Sequence, residues 1–303
     1  MGLKNYKRIK GLVAATFTPF DKNGCVNLDV IPQYADYMAE AGIQGVFVCG
    51  TSGESLSLTK GEREQIAEAW IKAVNKRFRV IVHVGSNSQQ EAIELAKHAG
   101  EKGADGIAMM APTFFKPLNV DELVSYFEPV AAQAANTPFY YYHMPSMTGV
   151  ALPVKDFLLK GALKIPNLVG VKFTSNNFME MLTCLNLSHG SFEILNGYDE
   201  CLLCGLALGA EAAVGSTYNY MATTYQKMIH YFQVGDIDQA RKMQLQSVNM
   251  VDIILRHGGG TRGGKAIMRL MGIDCGNCRP PFSPFTDSEY TELTHELKQM
   301  GVL

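Results

Sequence analysis

No run of about 18 consecutive apolar residues occurs anywhere in the 303-residue sequence, so it offers no helix able to span a membrane. The first twenty residues, MGLKNYKRIKGLVAATFTPF, begin basic, but their apolar run is short, interrupted by threonine, and lacks a small-residue cleavage site. Tyr6 stands where N-myristoylation needs serine or threonine. The expectation is a cytoplasmic protein with no membrane partner. Net charge is also scarce, since 27 basic and 29 acidic side chains leave only −2. Such a balance gives no electrostatic footprint for nucleic acid or an acidic membrane surface. Disulfide patterning is missing too: seven cysteines, an odd number scattered through a long chain, read as reduced thiols. Cys201 and Cys204 form a CxxC pair in the apolar helical run CLLCGLALGA, and Cys275 and Cys278 form another in a turn rich in glycine and proline. Because the pairs lie in different kinds of structure and no histidine is spaced to complete a zinc site, both are expected to pack in the core, with no metal.

Serine-rich linkers and charge blocks are absent as well, so nothing marks a boundary between independent domains. What the sequence does contain is a repeating unit. Short apolar runs recur: LVAATF from Leu12, GVFVCG from Gly45, RVIVHVG from Arg79, GIAMMAP from Gly106, PFYYYHMP from Pro138, LVGVKFT from Leu168, FEILNG from Phe192 and AAVGST from Ala212. Amphipathic segments with helix-start signals lie between them, such as Thr59 with Glu62, Ser88 with Glu91, and the stripe Ile66, Trp70, Val74. Eight apolar strands alternating with helices predict an α/β fold, a closed (β/α)₈ TIM barrel over residues 1–235. Residues 236–303 are expected to form a three-helix extension of the same domain.

One strand carries a charge that the pattern does not explain. In NLVGVKFTS, residues 167–175, alternation places Val169, Val171 and Phe173 on one face and Gly170, Lys172 and Thr174 on the other, so the lysine must enter enclosed space. Burying an ammonium without a partner is expensive. Lys172 falls near the carboxyl end of the sixth strand, where TIM barrels place their chemistry. Tyr142, on the same face as Tyr140, falls near the end of the fifth, so adjacent strands about 5 Å apart would set a phenol beside the amine. CGTSGE ends the second strand, and its Gly50 and Gly53 permit a tight loop whose N–H groups, with the hydroxyls of Thr51 and Ser52, can cradle a carboxylate. Enclosure strips an amine of hydration that holds its proton, and a free amine condenses with ketones. The resulting iminium can accept the electrons released when a nearby carbon–carbon bond breaks, while a phenol shuttles the proton. Each residue alone has a plain structural reading: an ion-paired lysine, an aromatic filling the barrel, an ordinary turn. Their joint placement at strand ends favours an imine-forming enzyme.

GTSGE, YYYHMPSMTG, VGVKFT, NGYDE and GSTYNY, in this order, resemble the pyruvate-dependent aldolase family of N-acetylneuraminate lyase and dihydrodipicolinate synthase, over about Gly11 to Pro284. The resemblance implies a (β/α)₈ homotetramer in which Lys172 forms the imine with pyruvate or a 2-oxo acid and no metal or other cofactor is needed. It further implies proton transfer by Tyr142 and binding of the pyruvate carboxylate by Thr51 and Ser52. The synthase branch places an arginine where this chain has Met147 and a relay tyrosine where it has Phe114. A thioether cannot replace a guanidinium. NGYDE and GSTYNY are instead lyase-like, and there the resemblance implies that Thr174, Gly197, Asp199, Glu200 and Ser216 bind the polyol tail of open-chain sialic acid. The plainer reading of Asp199 and Glu200 is that they open a helix and complement its dipole. Ser52 departs from the more usual threonine but keeps the hydroxyl, and His143 replaces an asparagine found in many bacterial members.

Retro-aldol cleavage of N-acetylneuraminate to N-acetylmannosamine and pyruvate is the activity this resemblance implies. Competing readings are another pyruvate lyase, such as one acting on 2-keto-3-deoxygluconate, the synthase, and a non-catalytic barrel that binds a 2-oxo acid. GGTRGGKA, residues 259–266, nearly spells a phosphate-binding loop but has Ala266 in place of a hydroxyl and follows a helical segment, so it reads as a loop between tail helices with Arg262 or Lys265 near the site mouth. His83, inside VIVHVG, reads as a satisfied core histidine.

Overall fold

The computed structural model describes residues 6–303. Residues 1–5, on which part of the targeting and acylation readings rests, lie outside the described residues. Eight parallel strands close in sequence order: β1 (Gly11–Ala15), β2 (Gly45–Val48), β3 (Arg79–His83), β4 (Gly106–Met110), β5 (Phe139–His143), β6 (Leu168–Phe173), β7 (Glu193–Asn196) and β8 (Ala212–Gly215), with β8 pairing back to β1. Around them run α1 (Ile31–Glu40), α2 (Lys60–Val74), α3 (Gln89–Glu101) and α4 (Val120–Ala132), a single-turn α5 (Pro145–Thr148), then α6 (Val154–Lys164), α7 (Phe178–Asn186), α8 (Leu202–Leu208) and α9 (Tyr218–Gln233). Three further helices follow: α10 (Ile237–Arg256), α11 (Gly259–Leu270) and α12 (Asp287–Gln299). The expected TIM barrel with a helical extension is the observed fold.

Strand residues are buried on both faces, which is why their runs read as continuously apolar. Val13, Phe47, Ile81, Met110, Tyr142 and Leu195 belong to an inner core filling the barrel, and a much larger core lies between strands and helices. On α2, Ile66, Trp70 and Val74 supply the stripe facing that outer core, and Thr59 and Glu62 form the reciprocal capping box. The second expected box forms only by half. Ser88 accepts from the Glu91 N–H, whereas the Glu91 carboxylate turns to the Ser86 hydroxyl at 2.6 Å.

Three expectations need correction. Val169 joins the inner core instead of the outer face, because β6 skips a residue in its pairing with β5: Phe139 opposes Leu168 and Tyr140 opposes Gly170. This bulge resets the alternation and leaves Lys172 facing inward. Residues 259–270 are helical, not a loop. Their glycines serve close packing, since a Cβ at Gly264 would come within 2.3 Å of the Phe17 ring. Finally, Cys275 and Cys278 are buried as expected, but Cys201, which ends the 3₁₀ turn before α8, is half-buried, and Cys204 is exposed because α8 buries the face that carries Leu202 and Gly205.

Candidate active site

Tyr142 and Lys172 are register partners on β5 and β6. The Lys172 ammonium nitrogen lies 4.1 Å from the centre of the Tyr142 ring and 4.4 Å from that of Phe47, at 4% exposure. Among the described residues no carboxylate lies within ion-pairing distance of it. Aromatic faces stabilise a cation less than a carboxylate would, so the amine is enclosed without being locked into an ion pair. The Tyr142 hydroxyl is 3.2 Å from Thr51 Oγ1 and donates to Met144 Sδ at 3.0 Å.

Thr51 and Ser52 occupy the turn that follows β2. Cys49 and Glu54, at φ 57° and 59°, hold left-handed conformations on either side of it. Within the turn Gly53 and Ser55 donate to Gly50 O at 3.0 and 3.2 Å, and Glu54 donates to Thr51 O at 3.1 Å. Among the described residues the N–H groups of Thr51 and Ser52 find no acceptor, so two adjacent donors remain for a ligand. Glu54 is buried and pairs with Lys265 of α11 at 2.6 Å, which ties the turn to the helical extension.

Behind the turn lies a buried polar layer. His83 accepts the Met110 N–H at Nε2 (3.3 Å), which places its proton on Nδ1, 3.2 Å from Cys49 O and 3.1 Å from Ser55 Oγ. Burial, and then the charges of Arg63 and Lys172, push its pKa well below the usual histidine range, so this ring is neutral. Arg63 is buried as well and donates to His83 O (2.7 Å) and Gly85 O (2.9 Å). His83 stands edge-on to Tyr142, their ring centres 6.0 Å apart. It is the satisfied core histidine expected, and it braces the phenol from behind.

On the far side of the mouth, Asp199 and Glu200 form a short 3₁₀ turn leading into α8. The Asp199 carboxylate does not cap that helix. Its Oδ2 accepts the Thr217 N–H (2.9 Å) and hydroxyl (2.7 Å), while Oδ1 is buried and, among the described residues, has no hydrogen-bond partner. Burial raises its pKa above the usual aspartate range, against the pull of the Thr217 donors, the Lys172 charge and the neighbouring Tyr218 hydroxyl. Glycine at 215 is required by this approach, because a Cβ there would sit 1.5 Å from Asp199 Oδ1. Glu200 is half-buried, and burial raises its carboxyl too. The Thr174 hydroxyl is buried and has no partner among the described residues, and Gly197 packs against it, with a Cβ at 197 falling 2.1 Å from Thr174 Oγ1. Ser216 follows Gly215 and borders the first turn of α11, its Oγ 3.8 Å from the Cβ position of Gly260.

All nine residues singled out in the sequence therefore lie at the carboxyl ends of β2, β5, β6, β7 and β8 or in the loops that follow. Arg262 pairs with Glu289 at 2.8 Å, whereas Lys265 lies beside the mouth turn as expected but is held there in its ion pair with Glu54. Met144 escaped the sequence reading, although alternation sets it on the face of Tyr140 and Tyr142, which is the signal that could have found it. Among the described residues no cluster of three or more histidine, cysteine or acidic side chains has the geometry of a metal site.

A closed eight-stranded barrel with an enclosed lysine beside a phenol at its mouth defines the class, a TIM-barrel enzyme of the aldolase kind. The sequence matches the Dihydrodipicolinate synthetase family over residues 8–300, and the chain belongs to that family. It is 43% identical over 301 residues to N-acetylneuraminate lyase of Mus musculus, covering 98% of this chain and 94% of that protein. The N-acetylneuraminate lyase of Homo sapiens is 43% identical over 296 residues, covering 95% and 92%. Among solved structures, Proteus mirabilis N-acetylneuraminate lyase superposes with a TM-score of 0.95 at 36% identity, covering 98% of this chain and all of that one.

Proposed function

We propose that the protein cleaves N-acetylneuraminate to N-acetylmannosamine and pyruvate through an imine on Lys172. The observation that carries the reading is the amine of Lys172, enclosed without an acidic partner among the described residues and 4.1 Å from the Tyr142 ring. The neutral amine adds to the ketone carbon of the open-chain sugar acid, and the carbinolamine hydroxyl leaves as water with a proton taken from solvent, which gives the protonated imine. Tyr142 takes the proton from the hydroxyl one carbon beyond the methylene as it passes its own phenolic proton to the Thr51 hydroxyl, 3.2 Å away, and on to solvent. The bond between methylene and carbinol carbons breaks, its electrons flow to the iminium to give an enamine, and the carbinol carbon leaves as the aldehyde of N-acetylmannosamine. Protonation of the enamine carbon and hydrolysis release pyruvate and regenerate the amine. The iminium is the electron sink, so the scheme invokes no metal and no other cofactor.

The free N–H groups of Thr51 and Ser52 support a carboxylate-binding role for that turn. The unpartnered Thr174 hydroxyl and Asp199 Oδ1, with Gly197, Glu200 and Ser216 beside them, support recognition of the polyol tail, since buried polar atoms gain most from hydroxyls that satisfy them. Against the synthase reading, Met147 is exposed on α5 where that branch needs a guanidinium. A homotetramer is part of the proposal. Exposed Phe114, Phe115 and Leu118, apolar and on one loop after β4, support self-association. A cytoplasmic location is supported by seven cysteines that are all unpaired.

Borohydride reduction with pyruvate tests the chemistry, and pyruvate release from N-acetylneuraminate beside 2-keto-3-deoxygluconate tests the substrate. The expected result is an adduct on the peptide carrying Lys172 and faster release from N-acetylneuraminate. An unmodified Lys172 removes the imine mechanism, and preference for the second substrate moves the protein to another pyruvate lyase.

A further inference from the structure

Met144 is the first residue after β5, half-buried at the rim of the inner core and packed against it. Its sulfur receives the Tyr142 hydroxyl at 3.0 Å and lies 3.8 Å from Thr51 Oγ1, while those two oxygens are 3.2 Å from each other. Both catalytic-side hydroxyls therefore converge on one thioether. A thioether is a weak acceptor, so it holds the phenol in place yet gives it up readily to a substrate oxygen. The same sulfur is the atom of methionine open to two-electron oxidation. Met144 lies beside the two hydroxyls that the proposed reaction uses, so a small hydroperoxide that enters the site can reach it.

We propose that Met144 is an oxidation site through which hydroperoxides silence proton transfer, an inference that rests on the lyase reading of Tyr142. The sulfur lone pair attacks the distal peroxide oxygen, the O–O bond breaks, an S–O bond forms, and the displaced oxygen leaves as water or an alcohol after taking up a proton. Sulfur is oxidised by two electrons and the peroxide reduced by two. The product carries a sulfoxide oxygen, a strong acceptor, next to the Tyr142 and Thr51 hydroxyls. It holds the phenol's proton and crowds the position of the substrate hydroxyl that Tyr142 must reach. Lys172 is not altered, so imine formation with pyruvate persists while carbon–carbon cleavage stops.

The test treats the full-length protein with increasing hydrogen peroxide and follows three quantities: turnover of N-acetylneuraminate, borohydride trapping of pyruvate on Lys172, and the 16 Da gain on the peptide carrying residue 144. Exposed Met147 and Met179 oxidise as well and are resolved by mass, with Met147→Leu and Met179→Leu as separate controls. Dithiothreitol is included to reverse thiol oxidation. Turnover is expected to fall about tenfold or more in step with oxidation at 144, to keep pyruvate trapping, to resist dithiothreitol, and to recover with methionine sulfoxide reductases. Met144→Leu is expected to hold whatever rate it starts from through the same exposure. Loss that follows oxidation at 147, 179 or a cysteine, or an equal loss in Met144→Leu, overturns the proposal. Should that variant fold poorly, the correlation between mass and turnover in the unmutated chain still decides. Untreated protein that neither traps pyruvate nor turns over the sugar refutes the lyase reading instead, a result distinct from peroxide insensitivity.

Discussion

Lys172 and Tyr142 face each other across β6 and β5 with the amine over the face of the phenol ring, not hydrogen-bonded to its hydroxyl. The ring and the hydroxyl therefore do different jobs. The ring helps to fix where the nitrogen sits, and the hydroxyl, turned toward Thr51 and Met144, is left for a second atom of the substrate. Removing one function without the other is then possible.

Tyr142→Phe keeps the ring and is expected to keep borohydride trapping of pyruvate on Lys172, while turnover of N-acetylneuraminate falls by about 10² to 10⁴, the usual worth of a positioned proton-transfer group. Lys172→Met is expected to lose both. Trapping by peptide mass and pyruvate release by coupled assay read the two separately. A phenylalanine variant with normal turnover would remove Tyr142 from the reaction, and turnover surviving Lys172→Met would remove the imine.

Asp199 commits one carboxylate oxygen to the fold and leaves the other, also buried, unsatisfied. Oδ2 holds two donors of Thr217, and its peptide oxygen accepts from Gln244 and Ser247, both at 3.2 Å, whereas Oδ1 has no partner. Asp199→Ala is expected to strand the Thr217 donors and lower unfolding free energy by about 1–3 kcal/mol. It is also expected to narrow the preference for N-acetylneuraminate over 2-keto-3-deoxygluconate by about tenfold or more, read as the ratio of kcat/KM values. Unchanged preference alongside lowered stability would leave Asp199 a structural residue only.

Glu54 and Lys265 form an ion pair with side chains only 3% and 2% exposed, joining the turn after β2 to α11. Breaking one partner of such a pair leaves a buried charge, so Lys265→Met is expected to cost about 3–5 kcal/mol in urea unfolding. Glu54→Gln combined with Lys265→Met is expected to recover part of that loss. Because Glu54 directly follows the Thr51–Ser52–Gly53 turn, the single variant is also expected to weaken pyruvate binding. Additive losses in the double variant would show that the two side chains act separately.

The barrel was legible because its physics is periodic. Eight apolar runs and their capped helices declare themselves one by one, and closure follows from parallel strands that need cover on both faces. Lys172 was legible because a charge in an apolar strand is an exception. Glu54, Lys265 and Arg63 were not, since each looks like an ordinary surface charge in its own helix or turn, and only tertiary contact buries it. The bulge at Val169 was hidden for a similar reason: strand register belongs to two segments, and neither sequence alone contains it. Met144 was within reach of the alternation rule, but sulfur as an acceptor for the phenol becomes visible only as a distance.

Arg279 makes the helical extension sensitive to acid in a definable window. Its guanidinium binds the Glu62 carboxylate of α2, one contact being 2.8 Å, and also donates to Gly24 O and Ser57 O, while its peptide N–H donates to Glu54. The Arg279 hydrogen bond, helped by the Thr59 N–H, lowers the Glu62 carboxyl from 4.5 to about 2. A carboxyl lowered by folding contributes stability that is fully present above its unfolded value and disappears as pH falls through the folded one. The contribution from Glu62 is therefore complete above pH 4.5 and lost by about pH 2. Glu289, lowered to about 2 by the Thr286 N–H and then by Arg262, titrates in the same window, so acid unfolding of the unmutated chain alone cannot isolate Glu62. The difference between the parent and Arg279→Met can, because Glu289 is common to both. Thermal midpoints measured from pH 6 to pH 2 are expected to show a constant gap above pH 5 that narrows as acid protonates Glu62, down to a remainder set by the carbonyl contacts. A gap that stays constant across the whole range would mean that the carbonyl contacts alone, and not the ion pair, anchor this segment to the barrel.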